Sequence, residues 1–590
     1  MRFGLPTKPD GADIRLYTPW GIHVKRGLEL RCLTRRAKLR RMPQISVPQE
    51  PFDAVVVGSG ATGGWAAKRL TEAGWRVALL EAGPKITPKD FTEHMQPWQM
   101  TYLGQSTATK RDRPIQSLCY ACRESNHQWF VNDFENPYVQ GKPFHWIRQR
   151  VLGGRSLSWG RQTYRMSDLD FKAASHDGYG DDWPISYDEM VPYYEIVEKY
   201  VGISGQAEGL PQLPDSVFLP PMDMTCGEAM LRDRVHDKMG RVITIGRVAI
   251  LTKAHNGRAA CHYCGPCEQG CITFSYFSSP WTTIADAQRT GRLTLICDAV
   301  ASHLPTKDGK ATGVAYIDRV TREPKEIRGR VVVLCASTLE STRLLLHSKI
   351  CGDNDALGHY LMDHIYQGGA AGAMPLTETK PWAGPPRRPN GIYIPRFRNV
   401  KDKATNGFIR GYGYQGSSSP VFDFDASGFG ASFKDAVRDG HWNISLDGFC
   451  ECLGRKENRV ELDTDRVDAW GIPILKMQVE YGDNEMKLWQ DSREQAAEML
   501  EAAGAKGVHM TGKPSIPGFC IHETGTARMG DNPRTSVVNR FNQAHEVKNI
   551  FVTDGACWVS SSCQNPTLTM MAITVRACDY ITREYPKQAA

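Results

Sequence analysis

Twelve residues near the amino terminus restrict this chain more than any others. Asp53 to Gly64 reads DAVVVGSGATGG. Asp53 to Val57 is a short apolar run ending in glycine, the pattern of a parallel strand buried on both faces. Gly58, Gly60 and Gly63 follow at the G-x-G-x-x-G spacing. The first glycine allows a tight turn, the second lets a pyrophosphate approach the backbone, and the third lets the helix pack on the strand. Ala61 and Thr62 lie among these glycines as candidate cofactor contacts, ahead of a helix whose N-terminal N–H groups would face the phosphates. Trp65 to Ala73 reads as that helix, ended by Gly74, and Val77 to Leu80 as the second strand. Glu81, 23 positions past Gly58, is placed to accept hydrogen bonds from a ribose. A glycine triplet alone is weak evidence. With a strand before it, a helix after it and the acid beyond, it reads as a dinucleotide cradle. It does not separate FAD from NAD.

The chain has 590 residues, too many for one simple core, so two interlocked domains are expected. Its net charge of +7 is concentrated at one end: residues 1–41 hold eleven Lys or Arg against three Asp or Glu. The body is close to neutral, which argues against a nucleic-acid partner. No apolar run is long enough to span a bilayer. The leader has paired arginines but no apolar stretch after them, so it reads as neither a secretory nor a twin-arginine signal. A disordered tail is expected there, with Met42 as an alternative start. A cytoplasmic enzyme and one co-exported with a signal-bearing partner both fit.

Cys261, Cys264, Cys267 and Cys271 stand at C-x2-C-x2-C-x3-C, a ferredoxin-like cluster spacing without the trailing proline. Iron–sulfur ligation, zinc held by the four thiols or by three plus His262, and plain structural thiols are the three readings.

Further blocks follow the cradle. They are VLGGRSLSWGRQ (Val151 to Gln162), VVVLCASTLESTRLLLHS (Val331 to Ser348), LGHYLMDH (Leu357 to His364), HETGTARMG (His522 to Gly530) and NIFVTDGACWVSSSCQNPTLTMMAI (Asn549 to Ile573). Taken in order with the cradle, they resemble the glucose–methanol–choline (GMC) oxidoreductases. The segments FVNDFENPY, NGIYIPRFRN and GYGYQGSSS are most similar to the large subunits of bacterial glucoside 3-dehydrogenases.

The resemblance implies an α/β fold, α+β overall. A Rossmann-type FAD-binding domain (50–165, 251–350 and 516–590, with a Cys-rich loop at 258–275) interlocks with a substrate domain on an antiparallel sheet (166–250 and 351–515). It implies His522 as the catalytic base, with Asn565 as its partner at the substrate oxygen. FAD contacts are implied at Asp554, Gly555, Pro566 and Thr567. Gly153 and Gly154 are expected to let the backbone approach the isoalloxazine, beside Ser156, Ser158 and Trp159. Where some relatives attach FAD through a histidine, this chain has Ser158, so non-covalent FAD is expected. Trp382, Tyr393, Tyr412, Tyr414 and Gln415 are candidates to stack on or hydrogen-bond a sugar.

The implied activity is oxidation of a secondary alcohol on a sugar or glycoside, at C3, with hydride transfer to flavin N5. Electrons leave for a cytochrome or quinone, with a small subunit and cytochrome c as expected partners. An oxidase making peroxide and a non-catalytic flavoprotein subunit are the alternatives.

Overall fold

The computed structural model describes residues 50–585 except 101–102, 104–107, 353, 375–387, 422–428 and 439–440. The basic leader and Trp382 lie outside the described residues.

Phe52–Val57 is buried along its whole length. It lies between two parallel neighbours, Val77–Leu80 on one side and the second half of Pro324–Leu334 on the other. Leu293–Ile296 adds beyond Val77–Leu80, and Ile550–Val552 beyond Leu334. The first half of Pro324–Leu334 instead pairs antiparallel with Gly313–Asp318, which continues to Ala299–His303. One strand therefore belongs to a parallel sheet at one end and a meander at the other. Val55, Val57, Val332, Leu334 and Val552 share one core with the carboxy-terminal helix Thr567–Glu584.

A second sheet is antiparallel throughout. Its order is Lys506–Met510, Ala370–Met374, His441–Cys450, Tyr412–Val421, Ile392–Ile394 and Thr244–Ile245. Helix Asp483–Ala502 lays Leu488, Trp489, Ala496, Met499 and Leu500 against it. Strand geometry alternates side chains between faces, and this corrects two expectations. Tyr412 and Tyr414 point into that core and are fully buried. Tyr414 Oη donates to Ser492 O at 2.6 Å, and Tyr412 Oη donates to Asp491. They hold the helix to the sheet rather than meeting a ligand. Gln415, one position on, faces the other way. Tyr393 pairs in register with Gln415 but is covered by Tyr164, whose ring stacks on it at 4.0 Å. It too is a core residue.

Helix Tyr187–Val201 is capped by Ser186, whose hydroxyl accepts from Glu189 N. It is pinned at two points. Tyr194 Oη meets Thr569 Oγ1 on the carboxy-terminal helix at 2.8 Å. Glu198 takes both arms of the Arg165 guanidinium at 2.7 and 2.6 Å, with both side chains buried. Removing one partner strands a buried charge, which typically costs about 3–5 kcal/mol. Glu198→Ala is therefore expected to lower the denaturant midpoint clearly, whereas replacing both partners with apolar residues recovers much of the loss.

Candidate active site

The cradle is built by close approach. Gly58 has φ +96°, and a Cβ there would lie 2.3 Å from Cys335 O. A Cβ on Gly63 would lie 1.8 Å from Gly58 O. Gly60 differs, since nothing comes within 4 Å of where its Cβ would be. This open space fronts the start of helix Ala61–Glu72, which has no side-chain cap and no acid in its first turn. Such a helix end is suited to a phosphate group. Glu81 is buried beside it, accepting from Gly83 N at 2.7 Å and from the Ser59 hydroxyl. Burial pushes its carboxyl pKa up.

A cavity of about 290 Å3 runs from this end to the carboxy-terminal segments. Gly58, Gly60, Ala61, Thr62, Glu81, Asp554 and Gly555 line it around the strand ends. Gly154, Ser156, Ser158, Trp159, His522, Asn565, Pro566 and Thr567 also line it. Two expected positions stand behind the wall. Gly63 packs helix on strand, as its spacing implies. Gly153, with φ +95°, makes the turn that presents Gly154, and its N–H donates to Ser59 Oγ at 2.8 Å. Gly154 alone of that pair faces the cavity, because a Cβ on Gly153 would strike the Pro280 ring. Asp554 accepts from Ser341 Oγ at 2.5 Å and Ala556 N at 3.0 Å, and burial raises its pKa to about 6.

At the far end, His522 Nε2 lies 3.3 Å from Asn565 Nδ2. Asn565 Oδ1 accepts from Gln415 Nε2 at 2.7 Å, which orients the amide. The backbone carrying His522 is held by the buried Asp363, whose carboxyl accepts from the N–H groups of Gly518, Cys520 and His522. On its other edge, His522 Nδ1 lies 2.8 Å from His364 Nδ1 and 3.4 Å from Cys520 Sγ. Arg155 reaches Glu523 at 3.0 Å next door. Burial, then His364 and Arg155, hold the His522 imidazole well below its usual 6.5. Burial takes His364 down to about 4 and Asp363 up to about 7. Sequence reasoning assigned no role to His364, Asp363, Arg155 or Cys520. The first two close the block LGHYLMDH, but their partners lie more than 150 positions away and nothing local announces the meeting.

The cysteine run forms a tight loop, with left-handed backbone at Tyr263, Gly265, Gly270 and Phe274. Cys261, Cys267 and Cys271 pack with Tyr276 and Val248. Tyr263 N donates to Cys261 Sγ at 3.3 Å, and the hydroxyls of Thr273 and Ser275 lie 3.4 and 3.3 Å from Cys271 Sγ. Arg161 is buried where this loop meets the cavity, near Cys267 and with Glu268 3.5 Å from its Nη2 as its negative neighbour. Its Nε and Nη1 have no hydrogen-bond partner. Cys264 lies with His94 and His262, their ligand atoms within 4.8 Å of one another. Among the described residues no three of the four thiols are that close. A single tetrahedral zinc needs such closeness. A multi-iron cluster does not, because its thiolates bind different irons.

Residues 246–366 and 454–574 match two sequence profiles, both described as GMC oxidoreductase. The chain is 30% identical over 555 residues to 2-methyl-1,2-propanediol dehydrogenase of Mycolicibacterium austroafricanum, covering 90% of this chain and 95% of that one. The chain belongs to the GMC oxidoreductase family. It is also 26% identical to the fructose dehydrogenase large subunit of Gluconobacter japonicus, over 90% of this chain and 98% of that one. Its fold is similar to that of pyridoxine 4-oxidase from Mesorbium loti, with TM-score 0.55 and 17% identity, covering 90% of this chain and 99% of that one. Members of this family are FAD enzymes that oxidise alcohol groups. The open space at Gly60, the uncapped helix and the glycines around them fit the dinucleotide part of FAD. No helix of the described residues is long and apolar enough to cross a membrane.

As a candidate base His522 must be unprotonated to work, and its imidazole titrates below the usual range. Protonation as pH falls should therefore remove activity only below about pH 6.5, the ordinary histidine value. The flavin-reduction rate constant, measured by stopped flow, is expected to carry no His522 ionisation above that. A step near pH 7 would belong to Asp363 and vanish in Asp363→Asn. A step that survived this substitution would contradict the assignment.

Proposed function

We propose that this GMC oxidoreductase oxidises a secondary ring hydroxyl of a sugar or glycoside, at C3, and passes electrons through the Cys261–Cys271 loop to a cytochrome or quinone. The observation that carries the alcohol chemistry is the His522–Asn565–Gln415 chain at the end of the cavity. FAD, when bound, supplies the acceptor of the carbinol hydride. Gly58, Gly60, Glu81, Gly154, Ser156, Asp554 and Thr567 are the residues that would hold it. His522 Nε2 takes the hydroxyl proton. Asn565 Nδ2 then turns from His522 to the substrate oxygen, its Oδ1 kept occupied by Gln415. The two polar groups fix the hydroxyl in one orientation, as a base and its partner must.

A sugar substrate is supported by the GYGYQGSSS segment, which delivers Gln415 to the site. The fructose dehydrogenase relative, similar over nearly its whole length, points the same way and is by name a large subunit. A small subunit and a cytochrome c are accordingly the proposed partners. Ser158 on the cavity wall, in place of a linking histidine, supports FAD that acid precipitation releases.

His522→Ala is expected to slow flavin reduction by about two to four decades while leaving FAD bound, the usual worth of a general base. A rate within about threefold of wild type would sink the assignment. For the acceptor, the buried guanidinium of Arg161, paired with Glu268 through Nη2 but with Nε and Nη1 unpartnered, lies near Cys267 and favours an anionic cluster. Anaerobically purified protein should hold about three or four irons with matching acid-labile sulfide per FAD. The position of Cys264 beside His94 and His262 favours a second reading, an oxidase with a structural loop. Absence of iron together with peroxide release would establish that one instead.

A further inference from the structure

We propose that His364 is a positioning residue, holding His522 in the tautomer with its proton on Nδ1 and leaving Nε2 bare. The proposal rests on His522 being the base. It starts from an atom whose role is not negotiable: a main-chain carbonyl only accepts hydrogen bonds. His364 Nε2 faces Ser562 O and is hydrogen-bonded to it, so Nε2 carries the hydrogen. His364 is 2% exposed, and burial brings its pKa to about 4. It is neutral near pH 7 with a single ring proton, and its Nδ1 is a lone pair. That lone pair lies 2.8 Å from His522 Nδ1. Two bare nitrogens at this distance repel, so His522 Nδ1 bears the hydrogen and donates. His522 is also neutral, and its proton is now placed, so its Nε2 is the free lone pair. Asn565 Nδ2 faces that nitrogen as a donor should.

The neighbourhood contains a competitor. Cys520 Sγ lies 3.4 Å from the same His522 Nδ1. Burial keeps this thiol protonated. A thiol donating to Nδ1 would move the ring proton to Nε2 and remove the base. His364 is the stronger partner and prevents this. The orienting bond on a base's second nitrogen decides which tautomer is present.

Two measurements on the FAD-loaded enzyme test the proposal. Long-range proton–nitrogen correlation spectra of 15N-histidine-labelled protein, with His522 assigned by its loss in His522→Ala, should show protonated Nδ1 and bare Nε2. A protonated Nε2 on His522 overturns the proposal without any His364 variant having to fold. His364→Val should slow flavin reduction about 10- to 100-fold, the usual scale for an orienting partner, with FAD content and melting temperature kept. His364→Asn, which returns an acceptor near Nδ1, should recover most of the rate. An unchanged rate and unchanged tautomer in His364→Val overturn the inference. A slow His522→Ala beside a normal His364→Val removes this inference alone. A normal His522→Ala removes the underlying assignment of the base.

Discussion

The site depends on one strand having neighbours from both ends of the chain. Pro324–Leu334 pairs in parallel with Phe52–Val57 on one side and Ile550–Val552 on the other. In an open parallel sheet, ligands bind outside the carboxyl ends of the strands. Here those ends carry Gly58, Ser337 and Asp554, each from a different part of the chain. The intervening residues can hold a second sheet because closure entropy grows only with the logarithm of loop length. The carboxy-terminal helix then covers the parallel sheet, and His522 and Asn565 arrive on the segments around it.

The chemistry at the far end is organised by burial. A buried carboxyl, Asp363, is retained because three backbone N–H groups point at it, and this fixes the trace through His522. Two buried imidazoles stay neutral because neither has a carboxylate on its ring. A neutral pair leaves a lone pair available without a competing ion, which suits a base that must accept a proton only when substrate arrives. Arg161 stands apart from this pattern. It keeps its charge in a buried place with unsatisfied N–H groups, between the cavity and the cysteine loop. Glu268 meets one arm of it, and the other N–H groups remain open to further negative charge.

The motifs read from sequence were those whose meaning is local. Two glycines of the cradle are legible because they answer local demands: the left-handed turn at Gly58 and the Gly58 carbonyl five residues before Gly63, although the Cys335 carbonyl against Gly58 comes from far along the chain. The far-end pair was legible only through resemblance, since nothing near His522 says that Asn565 will face it. The misassigned tyrosines show the opposite case. An aromatic-rich strand announces a buried face but not which face. Tyr412 and Tyr414 went to the helix side and Gln415 to the other, where it meets Asn565, a difference of one residue in phase. Gly153 and Gly154 likewise differ only in which of them makes the turn.

The glycine spacing, the apolar strands and the acid at Glu81 carry their fold within the linear order, because backbone sterics and hydrophobic periodicity act over a handful of positions. The proton arrangement at His522 is different. As proposed, it follows from His522 meeting His364, Gln415 and the Ser562–Asn565 segment, four separate stretches. Only packing brings them within hydrogen-bond reach, and burial keeps the two imidazoles neutral once there.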